Sequence, residues 1–371
     1  MSKIIVNSNS LVKAMAKVKG TVPNNPMLPV LENFLVEVRN NIMSITASDL
    51  QITAKTTLGV DGDDVEACLP AKIALSTLKA LPNQPITLNF DDEGLFCIIE
   101  SDNGKYKVAT ELAADFPKTE EPEEIESIEM DAETFGDILS STVFACSSDE
   151  MKLPMTGVNI QSKDGAIHYA ATDAHKLVHV VQEGLEIDYN VIVPSHALSQ
   201  VHAMLPSNGT VDVSFSESSV VVDMDGDKVI ARLLEERYPD YENVIPFNND
   251  KQVVIDRAVL VDALKRIAIY ANKSTNQVVL SLANNNLVVS AEDIDFQNEA
   301  NESLFCQYEG DKFQIGFNAA MLSMLLTKIA DDRVVLSFSE PNRAALITPE
   351  NQIEGFEVTM LLMPVMLHDY A

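Results

Sequence analysis

Short runs in which every second residue is apolar alternate along the chain with longer runs whose apolar positions recur every three or four residues. These are the signatures of half-buried strands and of amphipathic helices. The same order of segments is used three times. Each copy opens with a short strand and a helix-length stretch: "KIIVNSNSLVKAMAKV", "SIEMDAETFGDILSSTVFA" and "QVVIDRAVLVDALKRIAIYA". Two alternating strands around a turn follow: "FLVEVRNNIMSITASD", "GVNIQSKDGAIHYAATD" and "VVLSLANNNLVVSAED". The turn residues Asn40-Asn41, Asp164-Gly165 and Asn284-Asn285-Asn286 tolerate positive φ and therefore suit hairpins. A second strand, helix and hairpin then complete each copy, with Pro70, Pro194 and Phe317 at equivalent points.

The acidic, proline-containing "KTEEPEEIE" and the polar "PFNNDKQ" read as boundaries, giving domains at 1–122, 123–249 and 250–371. Each domain holds two helices and about eight strands. The predicted class is α+β, three similar domains with helices on one face of largely antiparallel sheet.

Composition narrows the function. With 371 residues and 46% hydrophobic content, the chain supports two or three ordinary cores. No apolar run approaches the roughly 20 residues that span a bilayer, and "MSKIIVNSNS" lacks a secretory apolar region, so a cytoplasmic protein with no membrane partner is expected. Cys68, Cys97, Cys146 and Cys306 are scattered without metal-ligand spacing and read as reduced, mostly buried residues. No cofactor or metal is expected. The net charge of −30 excludes a surface that attracts phosphate everywhere but leaves room for a local basic strip.

Such a strip is visible on the helices. Lys13, Lys17, Lys19, Lys72 and Lys79 in the first copy, and Arg257, Lys265, Arg266, Lys273 and Lys328 in the third, face almost no acid on their own segments. The middle copy opposes this with Asp131, Glu133 and Asp137. Basic helices on an acidic body suit backbone-level contact with a polyanion, and the 6% aromatic content with no Trp argues against base stacking.

The stretch "YAATDAHKLVHV" raises acid–base chemistry, because Asp173 and His175 two apart on one strand would share a face. Against this, Asp173 recurs as Asp49 and Asp293, the mark of a structural residue, whereas His175 is matched by Gln51 and Asp295. No nucleophile elbow, zinc-helix or phosphate-loop motif accompanies the pair. His168 with His179, and His196 with His202, are not spaced as metal ligands on one element. The terminal "MLLMPVML" reads as a last core strand that runs out into an adaptable, Met-rich groove beyond Pro364. A DNA-binding body, an enzyme using Asp173 and His175, and a scaffold that binds only proteins are the readings at this point.

Taken together, "NNPMLPVLENFLVEV", "TASDLQI", "ATDAHKLV", "AADFP", "ERYPDYENVIP" and "LLMPVML" resemble, in order and spacing over essentially the whole chain, the bacterial β sliding clamps. The resemblance implies a non-enzymatic processivity subunit, a head-to-tail homodimer whose six domains form a ring around double-stranded DNA. It implies as partners the replicative polymerase, the clamp loader and other proteins carrying short clamp-binding motifs. Carried over by motif, the peptide pocket would comprise Met155, Thr172, Ala174, His175, Lys176 and Leu177, then Pro239 and Val244. The third domain would add Asn318, Met321 and Ala344, and the tail Leu361, Leu362, Met363, Pro364, Val365 and Met366. "TDAHK" stands where "TDGHR" is usual, Asn243 replaces a basic residue and Met321 a frequent aromatic. DNA would be faced by Lys13, Asn25, Lys72, Lys79, Lys152, Arg257 and Lys265, with Asn25 at a position often held by arginine. Tyr106 and Val108 would meet Ile269 and Tyr270 of a second subunit.

Overall fold

A computed structural model describes residues 1–119, 122, 126–184 and 189–367. Most of the acidic boundary expected between Lys118 and Glu126 lies outside the described residues.

The first repeat runs β1 (Ser2–Asn7), α1 (Ser8–Val18), β2 (Asn33–Arg39), β3 (Ile42–Ser48), β4 (Ile52–Gly59), β5 (Asp61–Gly62), β6 (Val65–Pro70), α2 (Ala71–Ala80), β7 (Pro85–Phe90), β8 (Phe96–Ser101) and β9 (Gly104–Ala109). The second runs β10 (Glu126–Asp131), α3 (Ala132–Thr142), β11 (Gly157–Lys163), β12 (Ala166–Thr172), β13 (Lys176–Glu183), β14 (Asn190–Pro194), α4 (Ser195–Met204), β15 (Thr210–Phe215), β16 (Ser219–Asp223) and β17 (Lys228–Arg232). The third runs β18 (Lys251–Asp256), α5 (Arg257–Ile267), β19 (Gln277–Ala283), β20 (Asn286–Asp293), β21 (Asn298–Phe305), β22 (Phe313–Asn318), α6 (Ala319–Thr327), β23 (Arg333–Phe338), β24 (Ala345–Pro349) and β25 (Phe356–Leu362).

The hairpin turns form where the sequence puts them. Asn40 and Asn41 adopt φ of 50° and 63°, Asp164 and Gly165 54° and 81°, and Asn284 and Asn285 49° and 60°, the paired left-handed conformation of a two-residue hairpin turn. Asn286 belongs to the following strand. The third equivalent of Pro70 and Pro194 is Asn318 rather than Phe317, because each helix begins at the next residue. Asn318 caps α6, its side-chain oxygen accepting from the amides of Ala320 and Met321.

The chain packs into two compact bodies, one of residues Met1–Gly136 with His196–Leu234, the other of Asp137–Ser195 with Glu235–Ala371. Each contains one eight-stranded antiparallel sheet, and the two have the same order: β6-β2-β3-β4-β17-β16-β15-β10 and β14-β11-β12-β13-β25-β24-β23-β18. At the middle of each, a strand of one repeat pairs with a strand of the next, β4 with β17 and β13 with β25. The first body also holds the sheet β5-β1-β7-β8-β9, and the second holds β21-β20-β19-β22.

Strand alternation sends one set of side chains into each core, as in Gln277–Ala283, where Val278, Leu280 and Leu282 are buried. In the first body α1 and α2 pack together, burying Leu11, Met15 and Val18 on one and Ala74, Leu75 and Leu78 on the other. Their lysines are left on the opposite face. In the second body α5 buries Leu260, Leu264 and Ile267, and packs on α6.

Candidate functional site

Asp173 and His175 do not lie on one strand. β12 ends at Thr172 and β13 starts at Lys176, so the two residues form the turn between them. Asp173 Oδ1 accepts from the amides of His175 at 2.8 Å and Lys176 at 2.9 Å, its other oxygen takes the Lys176 ammonium, and the His175 ring is exposed. Burial by itself would raise the Asp173 carboxyl, but the bonds from Lys176 and His175 outweigh it and hold the carboxyl below its ordinary range. A carboxylate so fully engaged cannot orient an imidazole, which removes the acid–base reading.

The same turn occurs at Asp49. Its Oδ1 accepts from Gln51 at 2.9 Å and Ile52 at 2.7 Å, and Ser48 Oγ bonds Ile52 O as Thr172 Oγ1 bonds Lys176 O. Asp293 departs from the pattern. It is buried with one carboxyl oxygen unpartnered among the described residues, because β20 runs on to it and the turn comes later, with Gln297 at φ 54°.

The Thr172–Lys176 turn forms one end of a strip of apolar surface on the second body. Ala170, Leu177, Tyr241, Ala344 and Leu361 make its buried floor, with Tyr238, Ile245 and Leu346 packed against it. Met363 N donates to His175 O at 2.9 Å, and Val365 N to Gly316 O at 2.8 Å. The tail therefore runs from the turn to Gly316 on β22. Met363 and Met366 are 44% and 65% exposed and Val244 57%, while Met155, Pro239, Pro364 and Val365 are half-buried, so the strip is open to a ligand.

Two expected lining residues point elsewhere. Lys176 and Leu362 are directly opposed across β13 and β25 on the face opposite Leu177 and Leu361; Leu362 is fully buried and Lys176 is 7% exposed in its ion pair. Neither can touch a peptide on the Leu177 side. Asn318 is occupied as the helix cap and bonds Thr275 O. The sequence reading missed Tyr238 and Tyr241, although "ERYPDYENVIP" carries both and their size is the signal. Tyr241 covers His179, ring centres 5.3 Å apart, and His179 is hydrogen-bonded to His168 at 3.0 Å. Burial, then the neighbouring His168, pushes His179 down to about 4. No group of three or more His, Cys, Asp or Glu among the described residues is arranged to hold a metal ion.

Three family models tile this chain: the N-terminal domain of the DNA polymerase III beta subunit over residues 2–120, its central domain over 129–240 and its C-terminal domain over 242–366. The chain belongs to the DNA polymerase III beta subunit family. These are the bacterial β sliding clamps, processivity subunits and not enzymes. The chain is 28% identical to the beta sliding clamp of Synechocystis sp., covering 98% of this chain and 99% of that one, and 26% identical to that of Pseudomonas putida, covering 96% and 98%. A Pseudomonas aeruginosa clamp solved bound to griselimycin superposes with a TM-score of 0.91 at 25% identity, covering 99% of this chain and all of that one. The Bacillus subtilis clamp has the same fold, TM-score 0.91 at 22% identity, with the same coverage.

Of the basic residues expected to face DNA in this clamp, Lys13, Lys72 and Lys79 are exposed on α1 and α2 and form no ion pair among the described residues. Asn25 is exposed at φ 51°. The others are partly engaged: Lys152 Nζ reaches Asp173 O at 3.5 Å, Arg257 Nε donates to Asp331 O at 2.7 Å, and Lys265 pairs with Asp262 at 3.1 Å. Lys17 and Arg266 are paired with Asp227 and Glu302.

Each body of the clamp also leaves a strand edge open, β9 in the first and β21 in the second. Tyr106 on β9 is 39% exposed, but Val108 is buried in its own body and cannot offer its side chain to a partner. Ile269 and Tyr270 are 67% and 44% exposed. The sequence reading missed Phe305 and Phe296, exposed at one end of β21 and in the turn before it, although aromatic residues in so polar a run were a visible signal.

Proposed function

We propose that two copies of this chain close head to tail into a six-domain ring that encircles double-stranded DNA, slides without reading sequence, and tethers the replicative polymerase. The carrying observation is a gap in the pairing rule. β4 and β13 each pair with the strand in the next repeat that corresponds to β9, namely β17 and β25. By the same rule the third repeat would offer β21 to β9 of another chain, and both strands are open edges. A heterologous contact that closes gives a ring and covers both of these edges. Charge supports it, since Lys107 on β9 and Glu299 on β21 are both exposed and form no ion pair among the described residues.

Three domains at 1–122, 123–249 and 250–371 are the units of this ring. The strip from Thr172 to Leu177 and Leu361 to Met366 is its docking site for short motifs of polymerase, clamp loader and other partners. The apolar floor of Leu177, Ala344 and Leu361 and the exposed methionines beside it support that use. No helix among the described residues is long and apolar enough to cross a membrane, and the reading places the protein in the cytoplasm with the chromosome.

Topology supplies the test. The protein assembled by a clamp loader on nicked circular DNA should stay with it through gel filtration at high salt and be released when one restriction cut linearises the circle. Equal retention on cut, unblocked DNA would rule out encirclement.

A further inference from the structure

The first body carries a cleft at the place the peptide strip occupies on the second. Ser48 opposes Thr53 as Thr172 opposes Leu177, and Arg232 N donates to Gln51 O at 2.9 Å as Met363 N does to His175 O. Thr53 and Ile230, directly opposed across β4 and β17, thus stand where Leu177 and Leu361 stand. On the second body Tyr238, Tyr241 and Ile245 pack over that junction. The first body's covering segment, 113–119, has one buried aromatic, Phe116, which clusters with Val30, Leu31 and Cys68. A cavity of about 420 Å³ remains, with Leu35, Thr53, Phe116 and Ile230 in its walls.

Its charge is unusual for so acidic a chain. Lys55 and Lys228 are directly opposed across the junction on the cavity face, and Lys118 also lines it. Lys228 is held by Asp223 at 3.2 Å, but Lys55 and Lys118 form no ion pair among the described residues. Of the two acids that line it among the described residues, Glu66 is committed to Arg39, which leaves Glu37.

We propose that this cleft is a second docking groove, for an acidic peptide that sets one apolar side chain on Leu35, Phe116 and Ile230 and its carboxylates against Lys55 and Lys118. The volume suits a small ligand site, and the lysines supply charge complementarity. The assignment rests on the first body's sheet and is independent of the peptide reading of the second, which serves as its control.

Fluorescence anisotropy of labelled Asp-Glu-Leu-Asp-Glu with the full-length protein tests it. Binding should weaken about tenfold or more in Lys55→Glu with Lys118→Glu, and when Gly replaces the peptide's Leu. It should persist in Met363→Ala with Pro364→Ala and in the presence of a Q-x-x-L-x-F peptide. Both lysines are exposed, so melting curves of the lysine variant should match the parent. No binding at millimolar peptide, binding indifferent to the lysines or to the Leu, or displacement by the Q-x-x-L-x-F peptide would overturn the assignment.

Discussion

Ala174 holds φ 79° and Leu50, its counterpart in the first repeat, φ 76°. Both are forced there by the side-chain bonds of the turn, since Ala174 N bonds Thr172 Oγ1 at 3.1 Å and Leu50 N bonds Ser48 Oγ at 3.2 Å. A Cβ in this region costs about 1–2 kcal/mol, while a glycine adds about 0.4–1 kcal/mol of unfolded-chain entropy. Strain is the larger effect. Ala174→Gly should therefore stabilise the protein by about 0.5–1 kcal/mol, seen as a higher urea midpoint with unchanged slope; a lower midpoint would mean that the turn is not strained. The recurrence of Asp49, Asp173 and Asp293 was legible as structure, yet only the first two cap a turn. The third was not distinguishable in sequence, because the position of a turn depends on where neighbouring strands stop pairing.

At the scale of elements, the helices and hairpins were readable because each is specified locally, by apolar period and by Asn, Asp or Gly at the turns. The joining of repeats into shared eight-stranded sheets was not. Strand edges pair through backbone groups that every residue has, so β4 and β17 advertise nothing of their partnership in their side chains. For the same reason Val108 read as an interface residue until its alternation placed it inward. Open edges of this kind must be covered. Ile269→Asp with Tyr106→Asp alters exposed side chains beside β21 and β9, so each copy should still fold. Sedimentation equilibrium at micromolar concentration should find this variant monomeric and the parent dimeric; a dimeric variant would move the contact elsewhere.

The whole molecule carries a net charge of −30 and must nevertheless hold a polyanion. Segregation resolves the conflict: Lys13, Lys72 and Lys79 share the outer face of the packed α1 and α2 layer, without acidic partners among the described residues, while Lys17, Lys265 and Arg266 are each neutralised by a neighbour. Few free cations mean weak, exchangeable phosphate contacts, which is what sliding requires, and retention must then come from closure and not from affinity. The two contributions are separable. Each phosphate contact adds about 0.9 to the slope of log affinity against log salt. Replacing Lys13, Lys72 and Lys79 by Gln should lower that slope, measured on short linear duplexes, by up to about three per subunit. The same variant, once loaded, should remain on circular DNA as long as the parent, because no strand end passes through a closed ring whatever the charge of its lining. If the neutralised variant leaves closed circles quickly at high salt, electrostatic grip rather than topology is holding the DNA, and the ring reading loses its support.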